Sequence, residues 1–192
     1  EMVHGGVRLR TARFNQSSSV GSEFYLASVN LCANGIAMAS TAPRTSTIRT
    51  SGWANPGGIF LAINGDFYER ISGSWHVYGD AVGNGLRWPA ANSGIGIGSW
   101  HWAAVAPTPP TDTYNLISGF SELVIEGRVY TCPDPTGECF PDRGDMASRN
   151  PRTAIGISAD RRALLFVVVD GRGRRASAGV DGQELAWLMG QV

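Results

Sequence analysis

The chain has 192 residues, enough for one domain with a hydrophobic core, and its 25 glycines and 10 prolines indicate frequent turns. All 16 basic residues are arginines and 16 acidic residues balance them, so there is no lysine and no net charge. The missing lysine excludes P-loop nucleotide binding and Schiff-base catalysis, and the charge balance argues against nucleic acid or anionic membranes as partners. We expect a single domain over 1–192.

Predicted strands dominate the first third of the chain. Segments 23–30 and 36–39 flank the turn residues 33–35, which predicts a hairpin. Segment 46–54 predicts a short helix, because serine and threonine at its start can cap it and the helix-stopping residues 55–58 (Asn-Pro-Gly-Gly) follow it.

Two further hairpins are predicted in the second half. Segment 123–130 places the turn pair Glu126-Gly127 between apolar runs, and segments 153–158 and 163–169 flank a turn through Asp160. These segments predict an α+β fold, with a strand-rich mixed or largely antiparallel sheet and two or three short helices.

An amphipathic helix is predicted over 182–192. Its apolar residues have the i, i+3, i+4, i+7 spacing of one helical face: Leu185, Leu188, Met189 and Val192. Asp181 is the natural N-cap, and Glu184 has the spacing that completes a capping box. Glu184 is also a candidate catalytic acid, although the spacing favours the structural role.

The clearest functional signal is the apolar run 167–169, which is followed at once by Asp170-Gly171-Arg172. A charged residue at the end of a buried strand emerges into a crevice, so we expect the Asp170 carboxylate to be partly desolvated and suited to acid–base catalysis. Arg172 could instead pair with Asp170, and Asp-Gly is also a common turn pair.

A second junction has the same form, since the apolar run 59–63 ends in Asn64-Gly65-Asp66. The side chains of Asn64 and Asp66 could form a turn or bind a ligand. Asp66 and Asp170 together would give the two carboxylates that glycosidic hydrolysis uses. No cofactor is expected; Asp66, Asp80 and Asp170 could hold calcium, but no loop spacing indicates it.

Arginines cluster at 149–152 and 172–175, and a guanidinium group matches two phosphate oxygens at once. In the first cluster, Pro151 makes Asn150 extended, so Arg149 and Arg152 need not diverge as on an ordinary surface. The alternative is that both arginines are simply solvent-exposed.

The three cysteines bear on the compartment. Cys132 and Cys139 bracket a short loop and are predicted to form a disulfide, which leaves Cys32 without a partner in this sequence. We therefore expect a secreted or extracytoplasmic protein, with any leader already removed. No apolar run is long enough to span a bilayer.

The tetrapeptide Gly-Ser-Trp-His occurs twice, at 73–76 and 98–101. Trp75 and Trp100 could form a sugar-stacking platform, although such aromatic residues more often pack across strands. This pattern supports the alternative function, a non-catalytic carbohydrate-binding or surface-adhesion module.

From about residue 59 onward the chain resembles the phosphodiester glycosidase family. The resemblance lies in segments that occur in the same order: 62–68, 149–156, 168–172, 177–179 and 184–186. It implies hydrolysis of the bond between a sugar, such as N-acetylglucosamine, and a phosphodiester, so the expected partner is a glycan phosphodiester substrate. The family pattern continues past the position of Val192, so we expect the chain to be truncated at its C-terminus.

The resemblance also implies roles for single residues. Arg152 and Arg172 would hold the phosphate, and Asp170 would act as base or stabilise the positive sugar centre. Further contacts with the substrate would come from four polar side chains: Asn64, Asp66, Thr153 and Ser177. A hydrolase that uses Ser177 as nucleophile is a second alternative, and it requires a histidine within hydrogen-bond reach.

Overall fold

The fold is described from a computed structural model of the chain. The structure describes residues 2–15, 21–42, 47–65, 68–71, 74–77, 81–87, 94–98, 103–106, 112–119, 122–129, 144–172 and 177–192.

Short strands make up most of the regular structure. In chain order, the strands are β1 (Met2–His4), β2 (Val7–Asn15), β3 (Gly21–Asn30), β4 (Tyr68–Ile71), β5 (Ser74–Val77), β6 (Val82–Gly83), β7 (Leu86–Arg87), β8 (Gly94–Gly98), β9 (Ala103–Ala106), β10 (Thr113–Ser118), β11 (Val124–Ile125), β12 (Arg128–Val129), β13 (Arg152–Ile157) and β14 (Ala163–Val169). The helices are α1 (Thr50–Ala54), α2 (Gly182–Gly190) and a 3₁₀ turn (Gly144–Ala147). The described part is therefore strand-rich with few helices, which agrees with the predicted α+β fold.

The chain forms two compact units, residues 1–34 with 120–192, and residues 35–119. The first unit contains an antiparallel sheet in the order β1-β2-β3-β14-β13, and the small hairpin β11-β12. The expectation of a single domain stays a prediction.

Strand β14 lies between β3 and β13, which explains its continuous apolar sequence. Leu164, Val167 and Val169 are almost completely buried. The turn from β13 to β14 is closed by Asp160, whose carboxylate accepts hydrogen bonds from the Ser158 hydroxyl (2.6 Å) and the Arg162 N–H (3.1 Å). These two donors hold the pKa of Asp160 below its usual value.

Helix α2 covers one face of this sheet. Leu185 and Leu188 are buried in one core with residues from the 3₁₀ turn, the sheet and the segment before the helix: Leu26, Met146, Ala154, Val167, Val169 and Val180. The side chain of Met189 lies over Gly156, where a Cβ atom would come within 2.8 Å of the Met189 Cε. The absent side chain at Gly156 therefore leaves the space that the Met189 methyl group occupies.

The second unit contains a sheet in the order β7-β6-β10-β8-β9 and the hairpin β4-β5. The buried side-chain amide of Asn115, on β10, links this strand to other segments of the second unit. Asn115 Oδ1 accepts from the backbone N–H of Ser40 (3.0 Å) and of Asn84 (3.1 Å), and Asn115 Nδ2 donates to the carbonyl of Met38 (3.1 Å). Asn115 is 2% exposed, so these hydrogen bonds replace those that water would otherwise make.

Several predicted elements are confirmed. The hairpin predicted within 123–130 forms between β11 and β12 with Glu126 (φ 50°) and Gly127 (φ 75°) in its turn, and β13 and β14 form the hairpin predicted through Asp160. The C-terminal helix begins after Asp181, as predicted.

Other predictions are wrong. Segment 36–39 does not pair with β3, because β2 and β14 occupy both edges of that strand. Helix α1 begins at Thr50 without a side-chain cap, four residues later than predicted. Segment 59–63 is not a strand, and Phe60 is 56% exposed, so this apolar run lacks the two-sided burial of β14.

The buried amide of the second unit gives a stability prediction. Asn115→Ala leaves the N–H groups of Ser40 and Asn84 without their acceptor, and we expect a loss of about 3 kcal/mol in the free energy of unfolding. Urea denaturation would measure it, with Asn55→Ala, at an exposed position, as the control. Equal effects of the two substitutions would contradict the assigned role of Asn115.

Candidate active site

The antiparallel sheet of the first unit brings three chain segments to one end. Arg152, the first residue of β13, pairs with Val169, the last residue of β14. Val169 in turn pairs with Phe24 of β3, and the Asp170 N–H donates to the Glu23 carbonyl (2.9 Å). We call this end of the sheet, together with the segments before β13 and before α2, the strand-end cluster: residues 22–23, 148–153, 170–172 and 177–184.

Asp170 lies just past the end of β14 and is exposed. Its Oδ1 accepts from the Gly171 N–H at 2.8 Å, so the carboxylate supports its own turn. The expectation that Asp170 is partly desolvated is wrong, because the buried strand ends one residue earlier, at Val169. The carboxylate is instead accessible from solvent.

Two glycines let the segment after Asp170 pass close to the backbone before β13. A Cβ atom at Gly171 would lie 2.7 Å from the Pro151 nitrogen, and one at Gly179 would overlap the carbonyl of Asn150. Gly179 also has a φ of +75°, which favours glycine. Only glycine, which has no side chain, fits at these two positions.

Arg172 also contacts the segment before β13, through the side chain of Asn150. Its backbone has a φ of 59°, which is uncommon for a residue other than glycine. Its Nε donates to Asn150 Oδ1 at 3.0 Å, and its Nη2 donates to the same oxygen. The alternative that Arg172 pairs with Asp170 is therefore not what the structure shows.

Ser177 is buried, and its hydroxyl bonds to backbone groups. The hydroxyl donates to the Asp170 carbonyl and accepts from the Glu23 N–H (3.3 Å). Neither partner is a histidine, so these contacts do not support a serine hydrolase. They connect the start of β3 to the end of β14.

Glu184 forms the predicted capping box. Its backbone N–H donates to Asp181 Oδ1 (2.9 Å), and its Oε2 accepts from the Asp181 N–H (3.2 Å). Its other carboxylate oxygen pairs with Arg149, and both side chains are half-buried. Both oxygens of Glu184 are therefore engaged within the protein, as its structural role requires.

Arg152 and Thr153 lie on opposite faces of β13. Arg152 is on the face covered by α2, since the buried core residue Ala154 follows two positions later, and Thr153 alternates with them. Arg152 donates to the carbonyls of Val180 (3.2 Å) and Ser148 (2.7 Å). The structure thus brings Arg152, but not Thr153, to the helix side of the sheet.

The remaining predicted residues belong to the second unit or lie outside the described residues. Asn64 is exposed in the second unit, between α1 and β4. Several positions lie outside the described residues: Asp66, Asp80, Cys132, Cys139 and the side chains of Trp75 and Trp100. The predicted disulfide, calcium ligands and tryptophan platform therefore stay predictions. Cys32 is an exposed free thiol.

Within the described ranges, no three histidine, cysteine or acidic side chains are grouped to bind a metal ion. No helix in that part of the chain is long and apolar enough to cross a membrane.

Two features, one in the strand-end cluster and one beside it on α2, are not among the predicted site residues. The sequence predicts only that Asn150 is extended before Pro151, whereas the residue is 7% exposed and its side chain holds Arg172. Trp187, 49% exposed, borders a shallow concavity of about 280 Å³ whose other lining residues are Val180, Gln183, Glu184 and Leu188. The sequence holds a signal for each feature: a polar residue between two arginines, and an outward-facing tryptophan on an amphipathic helix.

Comparison with known protein families gives a match for most of the chain. A family model described as phosphodiester glycosidase matches residues 57–192, which is more than half of the chain and includes 148–153, 170–172 and 177–184 of the strand-end cluster. A search of curated proteins found no match.

The close approach at Gly179 gives a matched pair of substitutions. Gly127 has the same φ of 75° but open space around it, so Gly127→Ala should cost only about 1–2 kcal/mol of stability, from backbone strain. Gly179→Ala adds the overlap with Asn150, and we expect it to cost at least about 2 kcal/mol more. Urea denaturation of both variants would test this, and equal losses would contradict the close approach.

A double-mutant cycle would test the ion pair at α2. Arg149→Ala, Glu184→Ala and the double variant should show a coupling of about 1 kcal/mol, as expected for a half-buried pair. Glu184→Ala should also cost more than Arg149→Ala, because it removes an acceptor of the capping box. Additive losses in the unfolding free energy would mean that the pair contributes nothing.

Proposed function

The chain belongs to the phosphodiester glycosidase family, and we propose that it hydrolyses the bond between a sugar, such as N-acetylglucosamine, and a phosphodiester. One observation carries this proposal beyond the family: an exposed carboxylate, Asp170, stands two residues from an arginine, Arg172, whose guanidinium is held in place by a neutral partner. A carboxylate and a fixed positive charge are the two groups that this reaction needs.

The positive charge would act on the leaving group. As the glycosidic bond breaks, the bonding electrons pass to the phosphate oxygen, which gains negative charge. A guanidinium group already fixed beside that oxygen stabilises the transition state without having to reorganise. Arg172 is assigned this role, and Arg152, at the same end of the sheet, is a second candidate.

Asp170 would act on the sugar. Phosphate is a good leaving group, so protonation of the leaving oxygen matters less than in ordinary glycosidases. The carboxylate would then serve as the base that activates water or as a stabiliser of the positive sugar centre. Its exposure leaves it accessible to both water and substrate.

The other predicted residues have different roles in this proposal. Ser177 and Glu184 bond within the protein, and their contacts support the shape of the strand-end cluster. The predicted substrate contacts of Asn64, Asp66 and Thr153 stay predictions. We further propose that the enzyme works without a cofactor and acts outside the cytoplasm.

The central assignment is tested by replacing one carboxylate with an amide of the same shape. Asp170→Asn should lower kcat/KM for an N-acetylglucosamine phosphodiester by at least about 100-fold, because the amide neither accepts a proton nor offsets positive charge. Release of the sugar from the substrate would be measured.

Asp160→Asn is the matched control, since it makes the same change in the turn at the other end of β14. It should leave kcat/KM within about twofold of the original protein. Normal turnover by Asp170→Asn would show that Asp170 is not the catalytic carboxylate, and no sugar release by the unmodified chain would contradict the proposed substrate.

A further inference from the structure

Asn150 is held in place through both its backbone and its side chain. Its backbone N–H and carbonyl both bond to Val180 at 3.1 Å, and its Nδ2 donates to the Ser148 hydroxyl, also at 3.1 Å. Gly179 and Gly171 leave just enough room for this backbone. The side-chain oxygen of Asn150 therefore has one orientation.

That oxygen accepts two hydrogen bonds from the Arg172 guanidinium, through Nε and Nη2. Arg172 makes them from a left-handed backbone conformation, which is strained in a residue other than glycine. The uncommon backbone and the paired hydrogen bonds together place one edge of the guanidinium against Asn150.

The charge of the acceptor separates Arg172 from its neighbour Arg149. Arg149 pairs with the carboxylate of Glu184, which offsets its charge. Arg172 bonds to a neutral amide oxygen, which orients the guanidinium without offsetting its positive charge. Among the described residues no carboxylate pairs with Arg172, so its positive charge remains available to an anion.

We propose that Asn150 is a positioning residue that orients Arg172 for the phosphate group of the substrate while leaving the arginine fully charged. This inference rests on the proposed function and extends it to a residue that does not itself touch substrate. A carboxylate at position 150 would hold Arg172 equally well and would compete with the phosphate for it.

Asn150→Asp makes that change almost without altering shape. The retained Oδ1 still accepts from Arg172, and the new oxygen can accept from the Ser148 hydroxyl. The added negative charge should raise KM for an N-acetylglucosamine phosphodiester by at least about tenfold, with the melting temperature within about 3 °C of the original. A purely structural role for Asn150 would lower stability and leave KM unchanged.

Asn150→Ala separates orientation from charge. It releases the guanidinium without offsetting its charge, so KM should rise by about threefold, less than in Asn150→Asp. If Asn150→Asp does not fold, the rise in KM of Asn150→Ala decides the question. A KM no higher than in the original protein in either folded variant, or an equal rise in both, would overturn the proposal.

Asn34→Asp is the control for added charge. Asn34 is exposed in the turn that follows β3, at the opposite end of that strand from the strand-end cluster, and the same chemical change there should leave KM unaltered. A comparable rise in KM would trace the effect to net charge instead of to Arg172.

Calorimetric binding of inorganic phosphate keeps this test separate from the proposed reaction. The original protein should bind phosphate, and Asn150→Asp should bind it at least about tenfold more weakly. If the chain releases no sugar, the proposed function fails and phosphate binding alone decides the role of Asn150. Equal binding by both proteins, or none by the original, would overturn the inference.

Discussion

The strand-end cluster depends on one steric constraint: the backbone at Asn150 and Pro151 lies against Gly171 and Gly179 with no space for a side chain between them. This contact brings together segments that are about 20 to 30 residues apart in the chain. It allows Asn150 to pair with Val180, and it brings the Asn150 amide within reach of Arg172. The arrangement of charges at this end of the sheet follows from a backbone contact.

The antiparallel sheet determines which residues share that end. Because neighbouring strands run in opposite directions, the end of β14 lies beside the starts of β3 and β13. Polar residues before one strand and after another are thereby collected in one place. The cluster then gives two of its arginines different partners: Arg149 faces a carboxylate, whereas Arg172 is oriented by a neutral oxygen.

Local sequence predicted the elements whose causes are local. The turn pair Glu126-Gly127, the Asp160 turn and the Asp181–Glu184 capping box each depend on residues a few positions apart, and all three form. The sheet order and the contact between Asn150 and Arg172 could not be predicted, because they depend on strand pairing and on Gly179, 29 residues after Asn150. Segment 36–39 shows the same limit, since its place beside β3 is taken by distant β14.

The backbone hydrogen bonds between Asn150 and Val180 also connect the motion of the segment before β13 to that of the segment before α2. Their two hydrogen bonds, the capping box of α2 and the Arg149–Glu184 pair form an unbroken series from the start of β13 to the first turn of the helix. If the first turn of α2 separates from the sheet and takes Val180 with it, the backbone bonds that locate Asn150 break. We therefore expect the amide hydrogens of Asn150, Val180 and Glu184 to exchange with solvent through one shared local opening, which would also release Arg172 from its orientation.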